Sequence, residues 1–431
     1  MSVQEMGVAV TRSRSPAGVI GMCGFMILFD GYDLVVYGAV APSLMKQADW
    51  MLNPGMVGRA AALTLFGMLL GALVAGTLAD RIGRKKVVLG SLGCFSVMMI
   101  ASGMAHNFGT FETTRFFGGL GLGALLPTVT ALVLEFAPVR QRALANSLSF
   151  MGYLIGGIIS GVLGMLLLQK YGWRPLMIFG GVPLLALPLL MKALPESPGW
   201  LASKGRQPEA DAICDTFGLQ RVVPQAMQSR KKGIGALFAE GRLPTTLNAW
   251  AIHFCSLLLT FGMVNWLPTI MNKMGYDISS ALFFAVMLNL GAAIGIVIAG
   301  QIADKGHIKT IVASLFAIGA VAIWMLTIQQ GAFMYVLVAL AGAGTIGTQI
   351  LANVLVGRFY PVEIRGTGLG FSLAMGRLGG IAGPLIGGAV LQAGLAPEWN
   401  FYVFAATAFV GCLLTLLTFL YRNLDETGAA N

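Results

Sequence analysis

Long apolar runs separated by short polar stretches set the rhythm of this chain. A helix that crosses a bilayer needs about 20 mostly apolar residues. Twelve runs meet that need: 17–41, 57–79, 87–105, 110–135, 143–168, 174–193, 247–271, 279–302, 309–328, 332–356, 366–391 and 399–421. They predict an all-α membrane protein with twelve transmembrane helices in two groups of six. The expected organisation is an N-terminal tail (1–16), a six-helix bundle (17–193), a central loop (194–246), a second bundle (247–421) and a C-terminal tail (422–431). Arginines precede the first run, as in a secretory signal peptide. That run contains Asp30 and Asp33, however, and its only Ala-x-Ala site, Ala39–Ala41, runs into Pro42, so it reads as a retained first span.

Composition narrows the class. Apolar residues make up 56% and charged residues 11%, against about 25% charged in soluble proteins. Mean hydropathy is +0.79. A soluble surface cannot hide that much apolar material, and disordered chains are polar. The 58 glycines among 431 residues are nearly double the usual share of about 7% and follow no collagen period. They suit closely packed membrane helices.

A net charge of +10 would suggest nucleic acid in a soluble protein. Here its placement explains it. With both tails and the central loop on one side, 21 of the 28 Lys and Arg fall on that side and five on the other. Arg115 and Arg377 remain within spans. The excess marks the cytoplasmic side, so both termini and the central loop are expected there, and no nucleic acid is needed. The central loop should hold amphipathic cytoplasmic helices linking the halves. The five cysteines (Cys23, Cys94, Cys214, Cys255, Cys412) are scattered singly, and His106, His253 and His307 lie far apart. Neither pattern builds a disulfide framework or a metal site. No nucleotide-binding loop pattern occurs, and no cofactor is expected.

The halves repeat. Gly76-Thr-Leu-Ala-Asp80 after the second span recurs as Gly300-Gln-Ile-Ala-Asp304 after the eighth, an offset of 224. Phe136-Ala-Pro138-Val139 before the fifth span recurs as Phe359-Tyr-Pro361-Val362 before the eleventh, an offset of 223 that also aligns Ser149, Gly156 and Gly157 with Ser372, Gly379 and Gly380. Repeats of this kind characterise secondary transporters, which bind substrate near the midplane between the halves.

These residues also carry a resemblance. The Gly76-x-Leu-Ala-Asp80-Arg81-x-Gly83-Arg84-Lys85 loop is similar to the signature between helices 2 and 3 of the major facilitator superfamily. Arg115-x-x-x-Gly119-x-Gly121-x-Gly123 is similar to its fourth-helix pattern, and Pro195-Glu196-Ser197-Pro198-x-Trp200-Leu201 resembles the signature after helix 6 of its sugar and acid carriers. Asp30-Gly31-Tyr32-Asp33 resembles the Asp-Gly-x-Asp motif of the aromatic acid:H⁺ symporter family. The resemblance implies a monomeric, multi-pass carrier of the plasma (inner) membrane. It would import an aromatic carboxylate, such as benzoate or a hydroxybenzoate, together with protons. The wording Asp30-Gly-Tyr-Asp-Leu-Val-Val-Tyr37 is closer to benzoate carriers than to 4-hydroxybenzoate ones.

Charges within spans carry the chemistry. A carboxylate at mid-bilayer costs about 2.5–3.5 kcal/mol on insertion scales. Asp30 and Asp33 share one helix face. One is expected to bind the coupling proton, Asp30 being slightly preferred; a packing ion pair is the alternative. Arg377, midway along the eleventh span, can grip a substrate carboxylate with two parallel hydrogen bonds, or serve as counter-ion to a first-span aspartate. Arg115 in the fourth span pairs either with those aspartates or locally with Glu112. Glu135 is expected in an ion pair near Arg140 and Arg142. Tyr32, Asn265, Trp266, Asn289, Gln349 and Asn353, with Tyr37 and Tyr153, offer ring surfaces and donors suited to an aromatic acid. Ordinary packing is the alternative for each. Asp80, Arg81, Gly83, Arg84, Asp304 and Arg365 belong to the repeated loops and are expected to latch the cytoplasmic side. The second copy, Lys305-Gly-His-Ile-Lys309, lacks the Gly-Arg-Lys core, which argues against a symmetric latch.

A proton-driven exporter is the competing function. The proline of the exporter fifth-helix pattern is missing from Gly152–Gly161. An enzyme is not expected, because no nucleophile, metal or cofactor constellation is present.

Overall fold

The computed structural model describes residues 15–138, 141–221, 234–239, 241–303, 307–328 and 331–418. Among these, twelve helices are long and apolar enough to cross a membrane. They are α1 (Ala17–Met45), α2 (Pro54–Ile82), α3 (Arg84–Gly103), α4 (Phe108–Phe136), α5 (Arg142–Tyr171), α6 (Arg174–Ala193), α7 (Leu243–Lys273), α8 (Ile278–Ile302), α9 (Ile308–Met325), α10 (Phe333–Gly357), α11 (Val362–Gln392) and α12 (Trp399–Leu417). Several extend past the apolar run that predicted them, because caps lie in the polar flanks. Asn53 caps α2 at the Met56 N–H, and Asn107 caps α4 at the Thr110 N–H.

Two spans are irregular. Within α6, helix stops at Phe179 and restarts at Pro183. Gly180 and Gly181 have low helix propensity, and Pro183 cannot donate the backbone bond that would bridge the break. Within α10, Ala343–Gly347 forms a π-helical turn. The central loop contains short helices at Pro198–Ser203 and Gln207–Phe217 and a 3₁₀ turn at Ile234–Leu237. The first two pack on the face where α2 ends and α3 begins. Trp200 Nε1 donates to the Asp80 carbonyl, and Phe217 packs edge-on against Phe136 of α4. This is the linker face, and the opposite one is the far face.

Glycine decides which helices touch. In the first half α1 packs on α5, and in the second α7 packs on α11. Gly156 of α5 lies on the Leu28 carbonyl of α1, where a Cβ would overlap it. Its repeat counterpart, Gly379 of α11, lies in the same way on the Phe254 carbonyl of α7. The sequence repeat is therefore a repeat of packing.

The halves meet through α1–α7, α2–α11 and α5–α8. Gly38 of α1 meets the Val264 carbonyl of α7, at the same offset as Leu28 to Phe254. This crossing therefore lies on the approximate two-fold axis. Gly58 meets Pro384, and the repeat-related Leu282 meets Gly161. Both contacts, with the bond from Gln169 Nε2 to Ser279 Oγ (3.2 Å), lie toward the far face. Toward the linker face, Gly76 of α2 and Gly366 and Gly370 of α11 have no neighbour within 4 Å of an added Cβ. The glycine-mediated contacts between the halves thus gather toward the far face, while these linker-end glycines face open space.

Candidate functional site

Asp30 lies near the middle of α1 with 1% of its surface exposed. Among the described residues its side chain has no hydrogen-bond or ion-pair partner, and Oδ1 is fully buried. Arg377, midway along α11 in the other half, is part-exposed and likewise has no hydrogen-bond or ion-pair partner among the described residues. The two charges act on each other, but no ion pair joins them. Tyr153 of α5 is part-exposed beside both aspartates. Its carbonyl packs on Gly31, where a Cβ would overlap it, so the glycine between the aspartates lets α5 come this close.

Asp33 is different. Arg115 grips it with both terminal nitrogens, Nη2 reaching Oδ2 at 3.0 Å, and both side chains are buried. The guanidinium also lies 5.4 Å from the Tyr37 ring centroid. Glu112 is taken by Arg59 of α2 (2.8 Å), so the local Glu112–Arg115 pair is not formed. The two aspartates thus stand in unlike environments, one locked and one open.

Several expected site residues lie elsewhere. Tyr32 gives its hydroxyl to the Leu176 carbonyl (2.7 Å) and packs its ring on Phe29 and Phe179, which commits it to the α1–α6 contact. Trp266 donates to the Pro384 carbonyl (2.9 Å) and fills the space left by Gly58, Gly387 and Gly388, so it belongs to the contact toward the far face. Asn289 is buried between α5 and α8, with Nδ2 on the Ala285 carbonyl and Oδ1 unpartnered near Gly157. Asn265 sits at the α1–α7 crossing and donates to the Phe261 carbonyl. Gln349 and Asn353, one turn apart on α10, are part-exposed on one helix face. Asn353 holds His253 through Oδ1 at 2.9 Å, a contact the separate histidines did not suggest from sequence.

On the linker face, Glu135 pairs with Arg84 and accepts from Ser197 Oγ (2.5 Å) rather than meeting Arg142. Arg140 and Asp304 lie outside the described residues. Gly83 has φ +101°, which a side chain tolerates poorly, and a Cβ there would overlap the Glu196 carboxylate. Glu196 in turn accepts from the Lys85 N–H (3.0 Å). Asp80 and Arg81 are exposed and form no ion pair among the described residues. Arg365 reaches only the Tyr360 carbonyl, at 3.4 Å. Among the described residues, no ion pair joins these loops across the two halves.

Twelve spans in two packed repeats, with unpaired opposite charges between them, have the architecture of a secondary carrier. The chain belongs to the Major Facilitator Superfamily, whose model matches residues 23–332 and 285–430. It is 34% identical to the benzoate transport protein of Acinetobacter baylyi over 93% of this chain and 88% of that protein. It is also 34% identical to the gallate transporter of Pseudomonas putida (92% and 90% covered) and 30% identical to the 4-hydroxybenzoate transporter PcaK of Pseudomonas aeruginosa (95% and 93% covered). The fold matches a partially occluded inward-open conformation of the Escherichia coli xylose transporter XylE with a TM-score of 0.74, at 18% identity, over 94% of this chain and 99% of that one.

Proposed function

We propose that the protein imports an aromatic carboxylate, benzoate or a hydroxylated benzoate, together with a proton. The relatives that transport benzoate, gallate and 4-hydroxybenzoate support the substrate class. The observation that carries the coupling is that Asp30 and Arg377, on opposite halves, act on each other electrostatically while neither has an ion-pair partner among the described residues. Empty, the pair is neutral overall. A substrate anion on Arg377 leaves Asp30 uncompensated unless a proton arrives. A proton alone leaves Arg377 uncompensated. Only the empty form and the form holding both ligands close without a net charge at the pair. An uncompensated charge at this depth costs about 2.5–3.5 kcal/mol, enough to suppress half-loaded crossing roughly 100-fold.

The linker face, rich in Lys and Arg, is the cytoplasmic side in this reading. Both termini lie there. Asp80, Arg81, Gly83, Arg84, Asp304 and Arg365 would close this side in the alternate state. The protein would act as a monomer in the inner membrane. To test the reading, proteoliposomes carrying an internal pH dye receive an inward benzoate gradient. Acidification beyond that of protein-free liposomes is expected, and Arg377→Ala should remove the difference. Equal acidification with and without protein would overturn the proposal.

A further inference from the structure

A groove of about 530 Å³ runs down the outside of the first half, between α2, α3 and α4. It begins near mid-span at Leu70, Cys94 and Leu120 and ends toward the linker face at Ile82 and Lys86. The stretch of α2 from Leu70 to Ile82 is about 18 Å long at about 1.5 Å per residue. One leaflet of the hydrocarbon core is about 15 Å deep, half of the full thickness. The groove therefore spans the linker-side leaflet and stops near the midplane.

Its floor is close-packed backbone. Gly71 of α2 lies on the Leu120 carbonyl of α4, and Gly121 of α4 lies on the Ser91 carbonyl of α3. Above that floor Gly90 of α3 faces open space, with no atom within 4 Å of an added Cβ. Val74, Leu78 and Ile82 form an exposed apolar wall on α2. Helix α3 packs on α4 and α6 and more lightly on α2, so this side of the bundle is turned away from the second half and toward the bilayer.

Charge enters only at the end. Among the described lining residues Lys86 alone is charged, and it is exposed with no ion pair among the described residues. Arg84 is held by Glu135. That leaves Arg81, Lys85 and Lys86 against Asp80 and Glu196 where α2 meets α3, a net positive end. An apolar trough open sideways to hydrocarbon, with a cation at headgroup level, has the layout of a lipid. Basic residues at the membrane surface favour anionic headgroups.

We propose that this groove binds one acyl chain of an anionic phospholipid from the linker-side leaflet, with the headgroup phosphate on Lys86. The chain lies against Val74, Leu78 and Gly90, below the Gly83 turn that joins α2 to α3. This site is separate from the Asp30–Arg377 region between the halves, and its lipid is not carried across.

The test measures phosphatidylglycerol binding to the delipidated full-length protein by native mass spectrometry, with phosphatidylcholine for comparison. Wild type should hold one phosphatidylglycerol more tightly than phosphatidylcholine. Lys86→Gln should weaken that phosphatidylglycerol about fivefold, the equivalent of about 1 kcal/mol for one lysine at a membrane surface, and leave phosphatidylcholine unchanged. Gly90→Leu places a side chain in the groove where no protein atom opposes it, and should weaken both lipids. Lys204→Gln, at an exposed lysine of the central loop, should change neither. Both Lys86 and Gly90 lie open to their surroundings, so the melting temperature without added lipid should stay at the wild-type value. Phosphatidylglycerol bound no more tightly than phosphatidylcholine, or weakened equally by Lys204→Gln, overturns the proposal. So does unchanged lipid binding in Gly90→Leu.

Discussion

Asp33 and Arg115 illustrate how a charge is kept inside a membrane span. Each is nearly fully buried, and each satisfies the other through paired hydrogen bonds. Removing one partner of such a pair costs about 3–5 kcal/mol, because the other charge is left without compensation. Arg115→Leu is therefore expected to lower the melting temperature in detergent sharply, and adding Asp33→Asn should recover much of the loss. A double variant no more stable than Arg115→Leu would show that the pair is not what holds α1 to α4. Asp30 has no such partner among the described residues, which is why the proposed mobile proton is placed on it. The sequence marked all four charged residues as costly, since ionisable residues in apolar runs stand out. It left Arg115 between Glu112 and the aspartates. That choice depends on Arg59 of α2 reaching Glu112 first, a contact across 53 residues of chain.

At the scale of helices, glycine sets the distances at which the halves touch. Gly38 lies where α1 crosses α7, and a side chain there would strike the Val264 carbonyl. Backbone on both sides cannot yield as a flexible side chain can. Gly38→Leu is expected to prevent far-side closure. Cysteines placed near Asn265 should then label from the far side, while net transport falls below a tenth of wild type. Transport at the wild-type rate would show that this crossing need not close. The apolar runs revealed that α1 to α12 exist, because bilayer thickness imposes their length. They did not reveal the break in α6, which arises from local backbone chemistry at Gly180–Pro183, or the π-helical turn at Ala343–Gly347 in α10. Nor did they show which way Tyr32 and Trp266 point. An aromatic ring in a span suits a ligand or a neighbouring helix equally well, and the Leu176 and Pro384 carbonyls decide between them.

For the whole molecule, the repeat explains both architecture and motion. Gly156 on Leu28 and Gly379 on Phe254 make the two halves the same packed unit, built twice. Two like units joined near a two-fold axis can rock between a far-open and a linker-open state while Asp30 and Arg377 stay between them. The claim that joins these scales is that one proton on Asp30 travels with one carboxylate on Arg377. It is tested most directly by labelled benzoate movement in proteoliposomes carrying Asp30→Asn. A fixed neutral side chain mimics the protonated state. The variant should exchange labelled for unlabelled benzoate at rates near wild type and fail to accumulate benzoate under an imposed pH gradient. Accumulation driven by that gradient in Asp30→Asn, as in wild type, would contradict the account.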